Sequence, residues 1–400
     1  MKSMIGTKQN KWQYLVIEIL VSVFLISKML RGLSDSGQVG GVWNIIQLLI
    51  IVLGVLCFLL HFNSLITQRC CAVIVIYSVL AFLVSLIYVP VLSISSVYSF
   101  VMILYPGAAL CLFYYLYLVF DCSDIWIYKI TFYLIAYLFI YNQVSYFVND
   151  TEGSMISSAY YVLALLPIIV LYTDKLKLLP IFAAFVAIVV SGKRAGLIAI
   201  VVAVLGYYFI KYYLRKGSTL KLFRIIVSTV FIGALLFLML YVLDKYFSIG
   251  VINRMLRIFD DGGSGRDVRW KMIIQSFISS DLPKIFFGHG HDSLVASLGN
   301  AHNDFLQLLY ENGIIVTITY CLYYISLISV LIKMIRRKYR FAPEFFMSLI
   351  ISFCFAMFSF YVIEGTFITC GMICQGFILA DFTKKYRHLH KSEEYYDDLL

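Results

Sequence analysis

A chain of 400 residues that is 62% hydrophobic and only 14% charged carries too much apolar surface for a water-soluble globule, where about 45–50% and about 25% are usual. Its mean hydropathy of +0.90 equally excludes disorder, collagen, a soluble coiled coil and a small disulfide scaffold. The apolar stretches run about 15–23 residues. Barrel strands would be about 10 residues long and alternating, so the chain reads as an all-α, polytopic transmembrane bundle.

Taken in chain order, twelve spans are expected: 13–30, 42–60, 71–89, 97–119, 130–148, 155–172, 178–192, 196–210, 225–243, 314–332, 345–363 and 365–380. The seventh, eighth and twelfth are short and the last two nearly continuous, which sets a range of 11–13. Lys2, Lys8 and Lys11 precede the first run, but the run is too long for a signal peptide and no A-x-A site follows. It reads as a retained helix. With both termini in the cytoplasm, inner segments hold 21 Lys and Arg residues and the short outer segments four, a strong positive-inside bias. Most of the +10 net charge is thereby assigned to topology and lipid contact, and nucleic acid has no support as a partner. The expected organisation is helices 1–9 over 1–243, an extracytoplasmic loop with short interfacial helices over 244–301, helices 10–12 over 302–380, and a cytoplasmic tail over 381–400.

None of the nine cysteines falls in the long polar segment and no CxxC pair occurs, so neither a disulfide framework nor a zinc site is indicated. Within the expected spans the only charged groups are Glu18 and Lys28. An ion-coupled transporter ordinarily keeps titratable groups near mid-membrane. Here they gather in the outer loop and the short turns beside it, although Asn142, Gln143 and the many tyrosines could line a polar path. That distribution favours chemistry at the membrane surface on a lipid-anchored substrate.

Three clusters share the outer face. SGKRAG, 191–196, breaks one helix and places Lys193 and Arg194 where the next begins; a helix N-terminus with a guanidinium is an anion site. The competing account is a cation snorkelling at a helix end. DDGGSGRDVRWKMIIQSF, 260–277, turns into a helix with Trp270, Ile273, Ile274 and Phe277 on one face, Arg266 in its first turn and Arg269 at i+3. Arg254 and Arg257 precede it on a short amphipathic stretch suited to the bilayer surface. Pairing of these cations with Asp260, Asp261 and Asp267 is the alternative. FGHGHDSLVASLGNAHNDFLQLLYENG, 287–313, makes a glycine loop, opens a helix near His302 and ends it at Asn312-Gly313. A neutral His302 could accept a proton at pH 7, with an ordinary imidazole pKa of about 6.5. His289, His291, Asp292, His302 and Asp304 could also be read as a metal site, though no H-E-x-x-H spacing is present.

Together these clusters resemble the bacterial O-antigen ligase and polymerase superfamily, with the likeness running over roughly 178–332. It rests on SGKRAG at the head of a span, SGRDVRW in the loop and FGHGH…AHNDFLQLLYENG before the next span. The resemblance implies a GT-C-like glycosyltransferase in the bacterial cytoplasmic membrane, its site facing outward. Its donor and acceptor would be undecaprenyl-pyrophosphate-linked glycans, a chain-length regulator protein would be a partner, and no metal or other cofactor would be needed. It carries across three catalytic residues: Arg194 and Arg266 on the pyrophosphate and His302 near the reacting centre. Lys193, Arg254, Arg257, Arg269, His289, His291, Asn303 and Glu311 are the accompanying candidates for binding pyrophosphate or glycan. A polymerase fits better than a ligase, and a glycolipid flippase is the alternative from another class. Walker-A and GxGxxG loops are absent from the sequence.

The orientation is directly testable: reporter tags in 333–343 and at the C-terminus should read as cytoplasmic, and a tag near 280 as external. A cytoplasmic readout near 280 would put the loop on the wrong side for a lipid-linked glycan.

Overall fold

The computed structural model describes residues 18–26, 40–62, 68–88, 100–119, 126–149, 159–172, 177–215 apart from Gly192, 262–360 and 365–397, with a few isolated positions between them. Among the described residues every regular element is helical: 18–26, then α1 (Gly40–Leu60), α2 (Arg69–Leu86), α3 (Tyr105–Val119), α4 (Trp126–Asn149), α5 (Ala159–Tyr172), α6 (Leu178–Val190) and α7 (Arg194–Leu214). There follow α8 (Gly262–Ile278), α9 (Leu282–Phe287), α10 (Ser293–Ser297), α11 (Asp304–Arg336), α12 (Ala342–Phe358) and α13 (Gly365–Asp397). The expected ninth span is almost wholly outside the described residues. So are Arg254 and Arg257 and the side chains of Asn142 and Gln143.

Three of these helices, α2, α7 and α11, are long and apolar enough to cross a membrane, and α3, α5, α6 and α12 are shorter apolar helices. Helix α13 lies along α3 and α5, α7 along α12, and α2 along α11. The interior is aromatic, with Tyr105, Tyr114, Tyr128, Tyr207, Tyr320, Tyr323, Tyr339 and Phe24 among its largest fully buried side chains. The tyrosines tie helices together: Tyr105 meets Thr369, Tyr114 donates to Thr383 at 3.1 Å, and Tyr323 donates to Gln375. Where no water competes, such interhelical bonds contribute about 0.6 kcal/mol each and fix register more than they add stability.

Two helix ends add detail to the expected organisation. The 381–400 tail continues α13 as far as Asp397, over a stretch with neither Gly nor Pro to stop it. Asn312-Gly313 ends the first helical stretch of α11, as its turn chemistry implies. Gly313, at φ 77° and ψ −178°, breaks α11 locally and the helix then resumes to Arg336.

That break is built into the outer loop. The peptide N–H of His289 donates to the carbonyl of Tyr310 at 2.9 Å, and that of Gly290 to Glu311 at 3.0 Å. These are the carbonyls released where the helical ladder is interrupted, and buried carbonyls need donors. The loop comes so close that a Cβ on Gly313 would lie 2.3 Å from the Phe286 carbonyl oxygen, and one on Gly288 would lie 2.2 Å from the Glu311 oxygen. Asn312 anchors the same turn to α2 by donating to Ser85 Oγ at 3.0 Å.

Gly313→Ala should therefore destabilise the protein by at least about 2 kcal/mol, combining a glycine-only torsion with a backbone clash. Gly265, at φ 75° with open space around it, is the control, and Gly265→Ala should lose only about 1 kcal/mol. Thermal unfolding in detergent compares them; equal losses would mean that close packing at Gly313 contributes nothing.

Candidate functional site

Three separate pieces of chain converge at one end of the bundle. The first is the turn between α6 and α7. Ser191 Oγ donates to the Ile188 carbonyl at 2.6 Å and accepts from the Lys193 N–H at 3.3 Å. Lys193, in extended conformation, is the residue before α7, so Arg194 occupies the first helical position. The ammonium of Lys193 lies 5.8 Å from the centre of the Tyr160 ring, which itself packs on Phe355 and Phe367.

The second piece is α8. Arg266 follows Gly265 and donates through Nη1 to the Phe358 carbonyl at 2.6 Å, where α12 ends. Arg269 donates to the Asn300 carbonyl at 2.9 Å and the Trp270 indole N–H to the Ala301 carbonyl at 2.8 Å. The apolar stripe of α8 is Ile273 and Phe277, both buried, whereas Ile274 is exposed. The i, i+4 spacing holds from 273 to 277, and a residue at 274 is rotated about 100° away. Ile273, Leu294, Ala301 and Tyr310 form a small core that belongs to the loop itself.

The third piece is the opening of α11. His302 sits at φ 51°, a left-handed torsion unusual for a residue with a side chain. Its ring packs on Phe360 with centroids 4.9 Å apart. Asn303 is the N-cap, its Oδ1 accepting from the Leu306 N–H at 3.0 Å. Asp304 is fully buried and accepts from the Tyr320 hydroxyl at 3.0 Å and the Val362 N–H at 2.8 Å. Phe358 and Val362 are thus held by Arg266 and Asp304 through their backbones, and the ring of Phe360 lies against His302.

The electrostatics follow from this convergence. Burial lowers the His302 pKa to about 4, reinforced by the charges of Arg266, Lys193 and Arg269. Burial also lowers that of Arg266, Tyr160 opposes the shift, and the nearby cations Arg194 and Arg269 add to it. Arg nonetheless stays charged. The result is a half-buried group of cations around a neutral imidazole, which favours an anion with several oxygens. The expected ordinary pKa of about 6.5 for His302 is overturned: a proton there would sit among three positive charges in a partly desolvated place.

The remaining candidates have internal partners. His289 stacks on Tyr310 with centroids 4.1 Å apart. Its Nδ1–H donates to the Tyr310 carbonyl at 3.0 Å, which makes Nε2, 2.9 Å from Ser280 Oγ, the acceptor in the neutral ring. His291 Nε2 lies 3.6 Å from Asp292 Oδ2; burial lowers its pKa and Asp292 opposes the shift. Glu311 is buried, accepts from Gln307 at 3.1 Å and interacts with the Asp292 and Leu294 backbone N–H groups. His291, Asp292 and Glu311 bring ligand atoms within 4.8 Å of one another, a grouping that could hold a metal ion. His289 and His302 are not in it, so the three histidines do not form a common cluster. The capping of 292–294 already gives Glu311 a structural reason for its position. Sequence reasoning missed Tyr160 and the Phe358–Val362 segment, since no charge or glycine motif marks either.

Residues 179–321 match the family described as O-antigen ligase, a stretch that runs from α6 into α11 and contains Lys193, Arg194, Arg266, Arg269 and His302. The apolar helices and this match make the chain an integral membrane protein. Over that stretch, 143 of the 400 residues, the chain is similar to the O-antigen ligase family, a likeness consistent with the O-antigen ligase and polymerase superfamily. Comparison with curated proteins gave no match.

The His302 imidazole should titrate near pH 4 in the ligand-free protein. Histidine-labelled NMR in detergent across pH 3.5–7.5 checks this, with His302→Gln used for assignment. A midpoint near 6.5 would show that the three cations do not act on the ring.

Proposed function

We propose that this protein polymerises undecaprenyl-pyrophosphate-linked oligosaccharide repeat units at the outer leaflet of the cytoplasmic membrane. The observation that carries the reading is the gathering of Lys193, Arg266 and Arg269 around His302, with Arg194 beside Arg266. The terminal hydroxyl of one glycan attacks the anomeric carbon of the other. The bond from that carbon to the diphosphate oxygen breaks and its electron pair leaves with the undecaprenyl pyrophosphate. Arg194 and Arg266 grip the leaving diphosphate as its charge grows, with Lys193 and Arg269 adding to the field. His302 takes the hydroxyl proton.

The depressed pKa gives this scheme an order of events. A base with a pKa near 4 is weak. A bound diphosphate offsets the cations that depress it, so His302 becomes a better base once the donor is in place. The proton acceptor is then activated by the substrate whose bond is to break. No metal is needed for leaving-group stabilisation in this scheme.

A ligase that passes the glycan to a lipid or protein acceptor uses the same groups, and the family description favours keeping it as the second reading. A flippase is less well supported, because the cations and histidine gather at one end of the bundle.

Purified protein in nanodiscs, supplied with lipid-linked repeat units, should yield a ladder of chain lengths; a single addition to a different acceptor would point to the ligase. Arg194→Lys and Arg266→Lys should each lower the rate about 10–100-fold, the loss expected for a charged, two-pronged hydrogen bond replaced by a point charge. Unchanged yields from both variants would remove the anion-clamp role.

His302→Ala should lower turnover about 10²–10⁴-fold. In the wild type the acid limb of kcat/KM should fall near pH 4, where the free imidazole gains its proton, and that of kcat at higher pH. EDTA should leave the rate unaltered. Reversible inhibition by EDTA, with loss of activity in Glu311→Gln, would instead bring the His291, Asp292 and Glu311 group into the reaction.

A further inference from the structure

The opposite end of the same helices holds a second charged cluster that the reaction does not use. Helix α7 carries Arg194 at its first residue and Lys211 in its last turn, so the two ends lie about 30 Å apart. Lys177 precedes α6, whose other end leads into Ser191. Glu344 stands in the first turn of α12, whose last residue, Phe358, is the one that holds Arg266. Three helices that frame the candidate site thus bring Lys177, Lys211, Arg215 and Glu344 together at their far ends.

The geometry is compact. Lys177 Nζ lies 3.7 Å from Glu344 Oε1. Lys211 Nζ donates to the hydroxyl of the buried Tyr207 at 3.1 Å and lies 5.1 Å from that ring's centre. Lys177, Arg215 and Glu344 are all within electrostatic range of Lys211. Glu344 is 4% exposed, Lys177 and Lys211 are partly buried, and Arg215 is open. Among the described residues, Lys177 and Lys211 share the one buried carboxylate and Arg215 stands beside Lys211, so cations outnumber carboxylates three to one at a half-buried place. Such an excess favours a bound counter-anion.

The surroundings indicate what brings that anion. Leu178 and Leu179 at the start of α6, and Phe209 and Tyr213 in the last turns of α7, are exposed apolar side chains on the same helix ends. A ligand with an anionic head and apolar tails satisfies both features, and basic clusters between membrane helices suit lipid headgroups.

We propose that Lys177, Lys211 and Arg215, spaced by Glu344 and Tyr207, form a phosphate-anion site that takes the headgroup of an anionic phospholipid at the membrane face opposite His302. Lys211 is held in place by Tyr207, Arg215 reaches into the headgroup layer, and Glu344 offsets part of the cluster's positive charge.

The test uses the full chain in detergent, with lipid retention read by native mass spectrometry after exchange into equal phosphatidylglycerol and phosphatidylcholine. The wild type should retain phosphatidylglycerol preferentially. Each of Lys177→Gln, Lys211→Gln and Arg215→Gln should lower that preference about fivefold, and the triple variant should abolish it. Glu344→Gln removes the one negative charge and should strengthen retention, an opposite sign that general damage to the fold would not produce. Millimolar inorganic phosphate should leave the lipid bound; displacement by it would assign the site to a free phosphate in place of a lipid. No preference in the wild type, or an unchanged preference in the triple variant, would overturn the proposal.

Discussion

Like charges held close together repel, and the candidate site is organised around that repulsion. Arg266 and Arg269 are fixed by peptide carbonyls, at Phe358 and Asn300. A carboxylate would hold a guanidinium more tightly but would neutralise it. A carbonyl dipole orients the group and leaves its full charge available to a ligand. The low proton affinity of His302 is the counterpart of that arrangement, since a field that suits an anion also disfavours an imidazolium.

Holding several cations still requires a rigid support, and the loop obtains one from a broken helix. The Gly313 interruption in α11 frees the carbonyls of Tyr310 and Glu311, and the glycine loop at 288–290 supplies their donors. Glu311, through the Asp292 and Leu294 N–H groups, and His289, through the Tyr310 carbonyl, then tie the loop to the helix. Trp270 and Arg269 complete the support by fixing the two residues immediately before His302. A polar segment that hydropathy alone would assign to a flexible connection has its own small apolar core and a register set by hydrogen bonds.

Much of this was legible in the sequence. Long apolar runs gave the helical bundle, and SGKRAG, SGRDVRW and AHNDF marked the pieces that meet. The break at Asn312-Gly313 was visible as turn chemistry, although the apolar sequence beyond it lets the helix resume. Proximity was the hidden part. Nothing in three motifs more than 30 residues apart states that Lys193 and Arg266 act on His302, so an ordinary imidazole pKa was the natural expectation. Glu344 escaped for a related reason: a search for apolar runs stops at a carboxylate, yet Glu344, like the named candidates Asp304 and Glu311, is buried within a helix that extends past the apolar window. The Phe358–Val362 segment acts through its backbone, which side-chain motifs do not report.

The left-handed torsion of His302 has a bearing on how such a protein would respond to selection. A residue with a Cβ pays about 1–2 kcal/mol to stand at this φ, and glycine or asparagine stands there more easily. The residue nearest the centre of the cations is therefore also one that the backbone would sooner replace. Screening a library for heat resistance alone would enrich small residues at 302 and discard the imidazole, yielding a sturdier protein without the proposed proton acceptor. Robustness and reactivity compete at that single position, and any attempt to harden this membrane protein for purification would do well to leave it untouched.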